Sequence, residues 1–371
     1  MAHLKNFTLF VATSDQIIEH RKRTYAKWGR GRYTLDEYLS VFEALEHQEH
    51  SANGRSKTWV LAPRDDPETL DFPSACRSYR RDGIFYDGEL QRVTCYNVGF
   101  VYTHDDQRRK GYAGHMMRLL HWVTADERFL KEFPEEWGAP PQRVPSAGGG
   151  YFSSLYSALG PEYYAKCGDT PSTKGWLLKD SRSTVWELES SAKSASKPTS
   201  AWKWLDDKEV EEVWSQDVPL MEKDVVELGK QLHRPVASFL PTGGVAASDR
   251  LLYSPPHRPF SMKSYGIRST TGELSYATWT VNLASKPQGL ILTRLRVHDA
   301  AQFRELMGAV LWYAKENCFP SVETWNLPSQ LEDAAQEMAG VTSVREGNLP
   351  ALKSYAVDDA EWAFNERFGW A

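Results

Sequence analysis

The alternation of apolar and polar positions predicts an ordered set of strands and helices in the first half of the chain. Runs rich in β-branched and aromatic residues predict strands, and apolar residues that recur every three or four positions predict helices. The predicted order is a strand (residues 7–12), two helices (16–28 and 35–47), three strands (58–61, an interrupted 74–86, and 93–103) and a helix whose apolar face is Met116, Leu119, Leu120 and Val123. This order indicates an α+β protein built on a mixed sheet.

A similar order begins again at Trp202. It consists of two helices (202–214 and 222–231), three antiparallel strands (265–268, 274–284 and 289–297), a helix (303–314), a strand (322–327), a helix (330–338) and a final strand. We interpret the second half as a second copy of the same fold, on the order of elements alone. The predicted domains are therefore residues 1–189 and 202–371, joined by a flexible linker at 190–201 that is rich in Ser, Ala, Lys, Thr and Pro.

Two segments of the first half lie after its main helix. Residues 133–150 contain four prolines and four glycines and show no periodicity. So long an irregular segment is a lid, a substrate loop or a disordered insertion, and we favour a lid. Residues 175–189 are predicted to form the last strands of the first domain.

The candidate chemistry lies between the strand at 93–103 and the helix that follows it. This stretch reads Arg108, Arg109, Lys110, Gly111, Tyr112, Ala113, Gly114. A strand that enters a helix through small residues leaves several backbone N–H groups pointing at one spot, where the positive end of the helix dipole also lies. Because Gly111 has no side chain and that of Ala113 is small, a ligand can approach the backbone closely, and the three basic residues add positive charge. We therefore predict a pyrophosphate site. The chain contains neither G-x-G-x-x-G nor G-x-x-x-x-G-K-[ST], the dinucleotide and P-loop alternatives.

The spacing of Arg108, Gly111 and Ala113 resembles the R/Q-x-x-G-x-G/A motif of the GCN5-related N-acetyltransferase (GNAT) superfamily. Tyr164, four residues before Gly168, resembles a later motif of the same superfamily. The resemblance implies an N-terminal GNAT domain followed by a second, degenerate GNAT-like domain. It also implies that the loop from Arg108 to Gly114 binds acetyl-CoA as a co-substrate.

The same resemblance implies roles for two further parts of the site. Backbone N–H groups of Val101, Tyr102 and Thr103 would polarise the thioester carbonyl and pair with the pantetheine arm. Tyr164, a phenol with an ordinary pKa of about 10, would give a proton to the departing thiolate. Many relatives carry a glutamate on the strand before the loop, but residues 93–102 contain no acid. His104 is predicted to be a surface histidine, so we name no base.

The corresponding position of the second half differs. Residues 298–302 contain no glycine, and they place Asp299 where basic residues would be needed. An acid there would repel a pyrophosphate. We therefore predict that the second half binds no acetyl-CoA and instead covers or shapes the substrate side of the first domain. Its Trp279, Trp312 and Trp325 are predicted to be core residues.

Composition excludes several classes of protein. The 371 residues are 41% hydrophobic and 25% charged, with a net charge of −5 and a pI near 6.1, so no global field favours nucleic acid. The four cysteines form no C-x-x-C pair and are predicted to be reduced. His47 and His50 are predicted to be solvated rather than metal ligands, and no metal is expected. Without a signal-peptide pattern or a membrane-length apolar run, we expect a cytoplasmic protein that does not bind membranes.

Taken whole, the chain resembles the fungal L-lysine N6-acetyltransferases that begin lysine degradation. The resemblance lies in the S-x-L-Y-S-x-x-G-P-x-Y-Y pattern between residues 153 and 164 and in the separate C-terminal domain. It implies acetyl transfer to the side-chain amine of free L-lysine, a small-molecule partner. Acetylation of another amine, such as a polyamine or a protein lysine, and a non-catalytic module that binds acetyl-CoA or a partner stay open, as does the oligomeric state.

Overall fold

The computed structural model describes residues 2–252, 262–282 and 287–370, and within them the chain forms two β-sheets with helices packed on them. The strands are β1 Phe7–Val11, β2 Ser56–Pro63, β3 Ser74–Tyr86, β4 Leu90–Thr103, β5 Gly150–Ser157, β6 Leu177–Leu178, β7 Arg182–Glu187, β8 Trp202–Leu205, β9 Val236–Phe239, β10 Gly266–Ser269, β11 Tyr276–Asn282, β12 Gly289–Arg296, β13 Ser321–Trp325, β14 Val341–Val344, β15 Leu349–Ser354 and β16 Glu361–Trp362. The helices are α1 Ser14–Thr24, α2 Leu35–Glu46, α3 Tyr112–Thr124, α4 Glu162–Ala165, α5 Leu188–Ser191, α6 Asp207–Leu232, α7 Val245–Leu252, α8 Ala300–Glu316 and α9 Glu332–Glu337.

The first sheet has the strand order β1-β2-β3-β4-β5-β15-β6, with β9 paired to β3 and β16 to β9. Its central pair, β4 and β5, is parallel and is joined only from Thr94 to Val98 on β4. Beyond Val98, β4 continues to Thr103 without β5 beside it, so the two strands separate there. A β-bulge on the other side of β4 shifts its register with β3, and Phe100 at that bulge has a positive φ of 52°.

Helix α3 covers one face of this sheet. Its predicted apolar face is confirmed, because Met116, Leu119, Leu120 and Val123 are all completely buried. They pack against sheet residues that include Trp59. Full burial of a side chain of this size contributes about 2 kcal/mol, so this face fixes α3, and with it the start of the helix, on the sheet.

The second sheet has the order β14-β7-β13-β12-β11-β10-β8, and α8 packs its apolar face on it. The predicted antiparallel strands are β10, β11 and β12, and β13 then pairs with β12 in parallel. The predicted order of elements is thus confirmed for this part of the chain. A mixed sheet with a helix on one face recurs in both halves, as the predicted fold class requires.

Two predicted helices of the second half differ from the structure. The helix predicted at 202–214 begins as β8, because Trp202 and Trp204 both face the second core while Lys203 between them faces outward. The helices predicted at 202–214 and 222–231 are otherwise one helix, α6, with Pro219 inside it. Buried apolar residues on both sides of Pro219, including Val213 and Met221, pack in one core, and this packing outweighs the local cost of the proline.

Strands are exchanged between the two halves of the chain. Strand β7, which we predict as one of the last strands of the first domain, instead lies in the second sheet between β13 and β14. That assignment is wrong, whereas β6 does join the first sheet. Conversely, β9, β15 and β16 come from the second half and pair within the first sheet. The domain boundaries at 189 and 202 stay a prediction, and paired strands cross them in both directions.

The predicted linker at 190–201 lies along α8. The backbone N–H of Ser196 donates to the carbonyl of Gly308. A Cβ at Gly308 would stand 2.4 Å from the Ser196 hydroxyl and 3.3 Å from the Ser194 carbonyl oxygen, so a larger residue here would force the segment to shift. The middle of the segment is therefore bound to the second half instead of crossing solvent.

Candidate active site

The start of α3 is an anion-binding geometry formed by backbone groups. Gly111 precedes the helix with a left-handed φ of 90°, and no side chain caps the helix. The first bond of the helix runs from the His115 N–H to the Gly111 carbonyl. The N–H groups of Tyr112, Ala113 and Gly114 therefore have no acceptor within the helix and share one direction with its dipole. These residues are half-buried, and the structure brings the predicted loop together as one surface.

The charge of this loop is smaller than three free cations would give. Arg108 forms an ion pair with Asp105, with 2.5 Å between its Nη2 and the carboxylate, and its Nε donates to the Thr103 carbonyl. The Nζ of Lys110 donates to the side chain of Gln107. Arg109 is exposed, and its left-handed φ of 65° belongs to the same turn. The helix terminus and the cations Arg109 and Lys110 are therefore the groups that would attract an anion here.

The start of α8 in the second sheet is closed to an anion. The side chain of Asp299 accepts a hydrogen bond from the Gln302 N–H, and the Gln302 side chain accepts one from the His298 N–H. The helix therefore uses its own residues to satisfy donors that α3 leaves open. This is the structural difference behind the prediction that the second half has no phosphate site.

Val101, Tyr102 and Thr103 form the end of β4, past the point where β5 leaves it. Tyr102 and Thr103 pair with Ala75 and Ser74 on the β3 side, and within the described ranges no strand pairs with the opposite edge of this strand end. Backbone N–H groups on an uncovered edge are available to a ligand. Along the chain, this edge follows the bulge at Phe100 and precedes the loop that leads to α3.

Tyr164 lies on α4 and is 7% exposed, within the core between α3 and the first sheet. Its ring meets the Trp176 ring edge-on, with 6.3 Å between centroids. Burial raises the pKa of the Tyr164 phenol well above its ordinary value, so the group keeps its proton at any working pH. The glycine of this motif is required, because a Cβ at Gly168 would stand 2.1 Å from the Thr173 carbonyl oxygen.

Tyr163 is a site residue that sequence reasoning treats only as part of a pattern. Its hydroxyl is 3.9 Å from the position that a Cβ of Gly114 would take, so it lies at the start of α3. Burial raises the pKa of Tyr163 to about 12. The two adjacent tyrosines thus connect the second motif to the first, with Tyr163 at the loop and Tyr164 in the core behind it.

A cavity of about 340 Å³ begins where β4 and β5 separate and extends between the two halves of the chain. Its wall is mainly aromatic and amide. The lining residues are Trp28, Arg32, Tyr33, Tyr38, Val41, Phe42, Asn97, Val98, Gly99, Phe100, Tyr156, Ala158, Leu252, Asn282, Trp325, Asn348, Arg367 and Trp370. Such a size and lining are typical of a small-molecule site.

The second half supplies one side of this cavity. The side-chain amide of Asn97 on β4 donates to the carbonyl of Gly369, and this bond holds the segment containing Arg367 and Trp370 against the first sheet. Glu366 accepts a bond from the Leu295 N–H of the second sheet. The segment is therefore fixed to both sheets, and the second half shapes the cavity.

Trp279 and Trp325 are buried core residues as predicted, Trp325 also lines the cavity, and Trp312 is partly buried against the second core. Two other expectations near the site are wrong. His50 is buried and stacked on Tyr79 with 5.0 Å between ring centroids, and is not solvated. The segment 133–150 is not a lid over this cavity. It packs beside α3, where Arg143 donates to the carbonyls of Trp122 and Ala125.

His104 and the cysteines are as predicted. His104 is exposed and bonds Asp106 at the surface, and all four cysteines are unpaired. In the described ranges, no cluster of His, Cys, Asp and Glu side chains is arranged for a metal ion. None of the helices that the structure describes combines the length and the apolar character needed to cross a membrane.

Comparison with known families decides the relationship of the chain. The family model of the LYC1 GNAT-like C-terminal domain matches residues 185–371, half of the chain. The chain belongs to this family. The family match therefore lies in the second half of the chain, whose helix α8 has a capped start. The predicted motifs, at residues 108–114 and 164–168, lie in the first half.

The GNAT-like chain also resembles one curated protein. A lysine acetyltransferase from Yarrowia lipolytica is 25% identical to it over 112 residues. The match covers 30% of this chain and 27% of the length of that protein.

Solved structures show the fold across both halves. A probable N-acyltransferase from Enterococcus faecalis aligns with a TM-score of 0.53 at 10% identity, covering 94% of this chain and 72% of that one. A GCN5-related N-acetyltransferase from Anabaena variabilis gives 0.56 at 10% identity, with 94% and 73% covered. Eis1 from Mycobacterium abscessus gives 0.51 at 12% identity, with 94% and 74% covered. The predicted fold, a GNAT domain followed by a GNAT-like domain, is confirmed.

Proposed function

We propose that this protein transfers an acetyl group from acetyl-CoA to the side-chain amine of free L-lysine. The observation that carries the proposal is a juxtaposition. The loop before the uncapped start of α3 is bonded to the end of β4, where Arg108 donates to the Thr103 carbonyl, and the 340 Å³ cavity is lined by residues 97–100 of the same strand, where β4 and β5 separate. One strand end therefore connects an anion site for the cofactor to a pocket for a small amine.

The residues have distinct roles in this proposal. The N–H groups of Tyr112, Ala113 and Gly114, with Arg109 and Lys110, would hold the pyrophosphate. The backbone at Val101–Thr103 would hold the pantetheine arm and polarise the carbonyl. Acetyl-CoA supplies an activated acetyl thioester, whose C–S bond breaks as the C–N bond of the amide forms. Tyr164 would give its proton to the thiolate, and the amine must lose one proton to solvent or a base.

Lysine as the acceptor is supported by the family resemblance and by the name of the Yarrowia relative. The size of the cavity, about 340 Å³, also suits a small free molecule. A role at the start of lysine degradation would follow from this substrate.

The substrate can be tested by thiol release from acetyl-CoA with three acceptors: L-lysine, an N-acetylated peptide containing lysine, and spermidine. We expect the highest kcat/KM with L-lysine, because the other two lack the free α-carboxylate and α-amine together. Equal or higher rates with the peptide would indicate a protein acetyltransferase, and a preference for spermidine would indicate a polyamine enzyme. Binding of acetyl-CoA without turnover on any of the three would favour a non-catalytic module.

The reaction should also accelerate as the pH rises above neutrality. The lysine ε-amine has a pKa near 10.4 and attacks only when neutral, so its reactive fraction rises about tenfold per pH unit below that value. Tyr164 does not oppose the trend, because its raised pKa keeps the proton donor intact over this range. The measurement is kcat/KM for L-lysine between pH 7 and 9. A rate that falls across this range would contradict attack by a freely titrating amine.

A further inference from the structure

Asn97 is a buried polar residue of β4 at the point where β5 leaves this strand. It pairs with Ser154 of β5, and Val98 is the last residue of β4 that pairs with β5. Val98 packs in the same core as α3, so the side chain of Asn97 points to the opposite face of the sheet. Asn97 is 1% exposed and lines the large cavity, so its amide faces the cavity rather than bulk solvent.

Hydrogen bonds fix the orientation of the Asn97 amide. Its Nδ2 donates to the Ser154 hydroxyl at 2.9 Å and to the Gly369 carbonyl at 3.0 Å. A carbonyl oxygen can only accept, so the amide nitrogen must lie on the Gly369 side. Both N–H groups are then used, and the Oδ1 accepts no hydrogen bond from the described residues. An amide oxygen of a buried residue usually has a donor, and a ligand in the cavity would provide one.

The described wall of this cavity holds no side chain that takes up a proton near neutral pH. It contains no Asp, Glu or His, and its charged residues are Arg32 and Arg367. Its phenols are those of Tyr33, Tyr38 and Tyr156. Burial raises the pKa of Tyr38 to about 12 and that of Tyr156 well above its ordinary value, so these two phenols stay protonated. An amine bound here therefore meets hydrogen-bond acceptors and not a base.

Asn97 also has a fixed relation to the strand that would hold the thioester. It belongs to β4, whose end at residues 101–103 is the proposed site of the thioester carbonyl. Tyr156 instead follows the separation point on β5 and packs against the rings of Trp325 and Trp370. Of these two polar groups, the Asn97 amide is therefore the one attached to the reacting strand.

The chemistry of attack requires an acceptor of this kind. An amine attacks a thioester with its lone pair, so its N–H bonds must point away from the carbonyl carbon. An amide oxygen can accept one of these N–H bonds and so orient the lone pair, but it cannot remove the proton. Because it is neutral, it also stabilises an ammonium group less than a carboxylate would. A neutral acceptor therefore suits an amine that arrives unprotonated.

We propose that the Oδ1 of Asn97 accepts a hydrogen bond from the attacking amine, and so orients the nucleophile without acting as a base. This inference rests on the proposed function and deepens it, because it names the group that meets the acceptor nitrogen. As the C–N bond forms and the C–S bond breaks, one N–H stays bonded to Asn97 and the other proton of the amine leaves to water. The thiolate takes the proton of Tyr164, which then regains one from water.

Three variants test the role of the Oδ1. Asn97→Ala should lower kcat for the best amine acceptor about a hundredfold and leave the acetyl-CoA dissociation constant within about twofold. Ser154→Ala removes one partner of the amide but keeps the Oδ1, and Tyr156→Phe removes another hydroxyl from the wall. Each of these two should lower kcat about tenfold or less. A loss in either that equals the loss in Asn97→Ala, or an unchanged kcat in Asn97→Ala, would overturn the inference and leave acetyl transfer intact.

Asn97→Asp gives a readout that a purely structural role would not change. It keeps an oxygen at this place but adds a carboxylate that can take the proton of a bound ammonium group. For the unmodified protein, kcat/KM should rise about a hundredfold from pH 7 to pH 9, whereas for Asn97→Asp it should be nearly level. An equally steep rise in an Asn97→Asp protein that circular dichroism shows to be folded, or a level profile in the unmodified protein, would overturn the inference.

A binding measurement separates failure of this inference from failure of the proposed function. N6-Acetyl-L-lysine, the proposed product, keeps the N–H that Asn97 would hold, so it tests the contact even if the protein acetylates no amine. Calorimetric titration in the presence of coenzyme A should show about tenfold weaker binding to Asn97→Ala than to the unmodified protein. Equal affinities, or an absence of binding to the unmodified protein, would refute the contact.

Discussion

Replacement of Ala113 by Asp is expected to abolish measurable acetyl-CoA binding. The new carboxylate would stand in the first turn of α3, where it could accept from the same N–H groups that a pyrophosphate needs and would repel its charge. Two unit charges 4 Å apart at an effective dielectric constant of 20 repel by about 4 kcal/mol, roughly a thousandfold in affinity. An acid in the first turn also stabilises a helix, so the loss would not reflect unfolding. Titration calorimetry with acetyl-CoA is the measurement.

The chain offers a matched control for this variant. Ala301→Asp makes the same change in the first turn of α8, at an exposed position whose helix start is already capped by Asp299. We expect its acetyl-CoA affinity to equal that of the unmodified protein. Undiminished affinity in Ala113→Asp would remove the loop from Arg108 to Gly114 from the cofactor site, and equal losses in both variants would point to a general electrostatic effect.

Tyr164→Phe is expected to lower kcat about a hundredfold while changing acetyl-CoA affinity little. A proton donor acts in the transition state, so its removal affects turnover more than ground-state binding. The ring of Tyr164 is packed in the core, and phenylalanine keeps that ring, so the variant should fold without a large cavity. Steady-state kinetics, combined with calorimetry for acetyl-CoA, would measure both quantities.

Tyr163→Phe is the control, because it removes a hydroxyl one residue away that lies at the start of α3. We expect this variant to weaken acetyl-CoA binding modestly and to retain most of kcat. If Tyr163→Phe instead lowers kcat and Tyr164→Phe does not, the proton donor is Tyr163 and our assignment is wrong by one position.

Local physical chemistry made part of this molecule predictable. The apolar face of α3 could be read from its spacing, since helix geometry alone decides which residues share a side. The turn at Gly111 could also be predicted from local sequence. A basic segment with small residues between a strand and a helix is compatible with few backbone conformations other than a tight turn. Asp299 at the start of α8 is equally local, and the sequence alone distinguishes the two helix starts.

The cavity could not be predicted because it depends on contacts between distant parts of the chain. Its wall joins Trp28 from before α2, Phe100 from the bulge in β4, and Trp370 from beyond β16. Nothing in the spacing around Trp325 distinguishes a tryptophan that lines a cavity from one that fills a core. The same limit explains β7, whose alternation predicts a strand but does not identify the sheet that receives it.

The exchange of strands between the sheets has a consequence for biosynthesis. Strand β15 lies between β5 and β6 and joins β6 to the first sheet. About 170 residues must be translated after β6 before β15 has been synthesised. The parallel pair of β4 and β5 is likewise left with an open edge during that time, at the centre of the first sheet. Pairings across so long a stretch of chain form slowly, and unpaired edges invite association with other chains. The nascent protein is therefore exposed to aggregation until its last two hundred residues have emerged, and chaperone protection during that interval would matter more here than for a chain whose two halves fold one after the other.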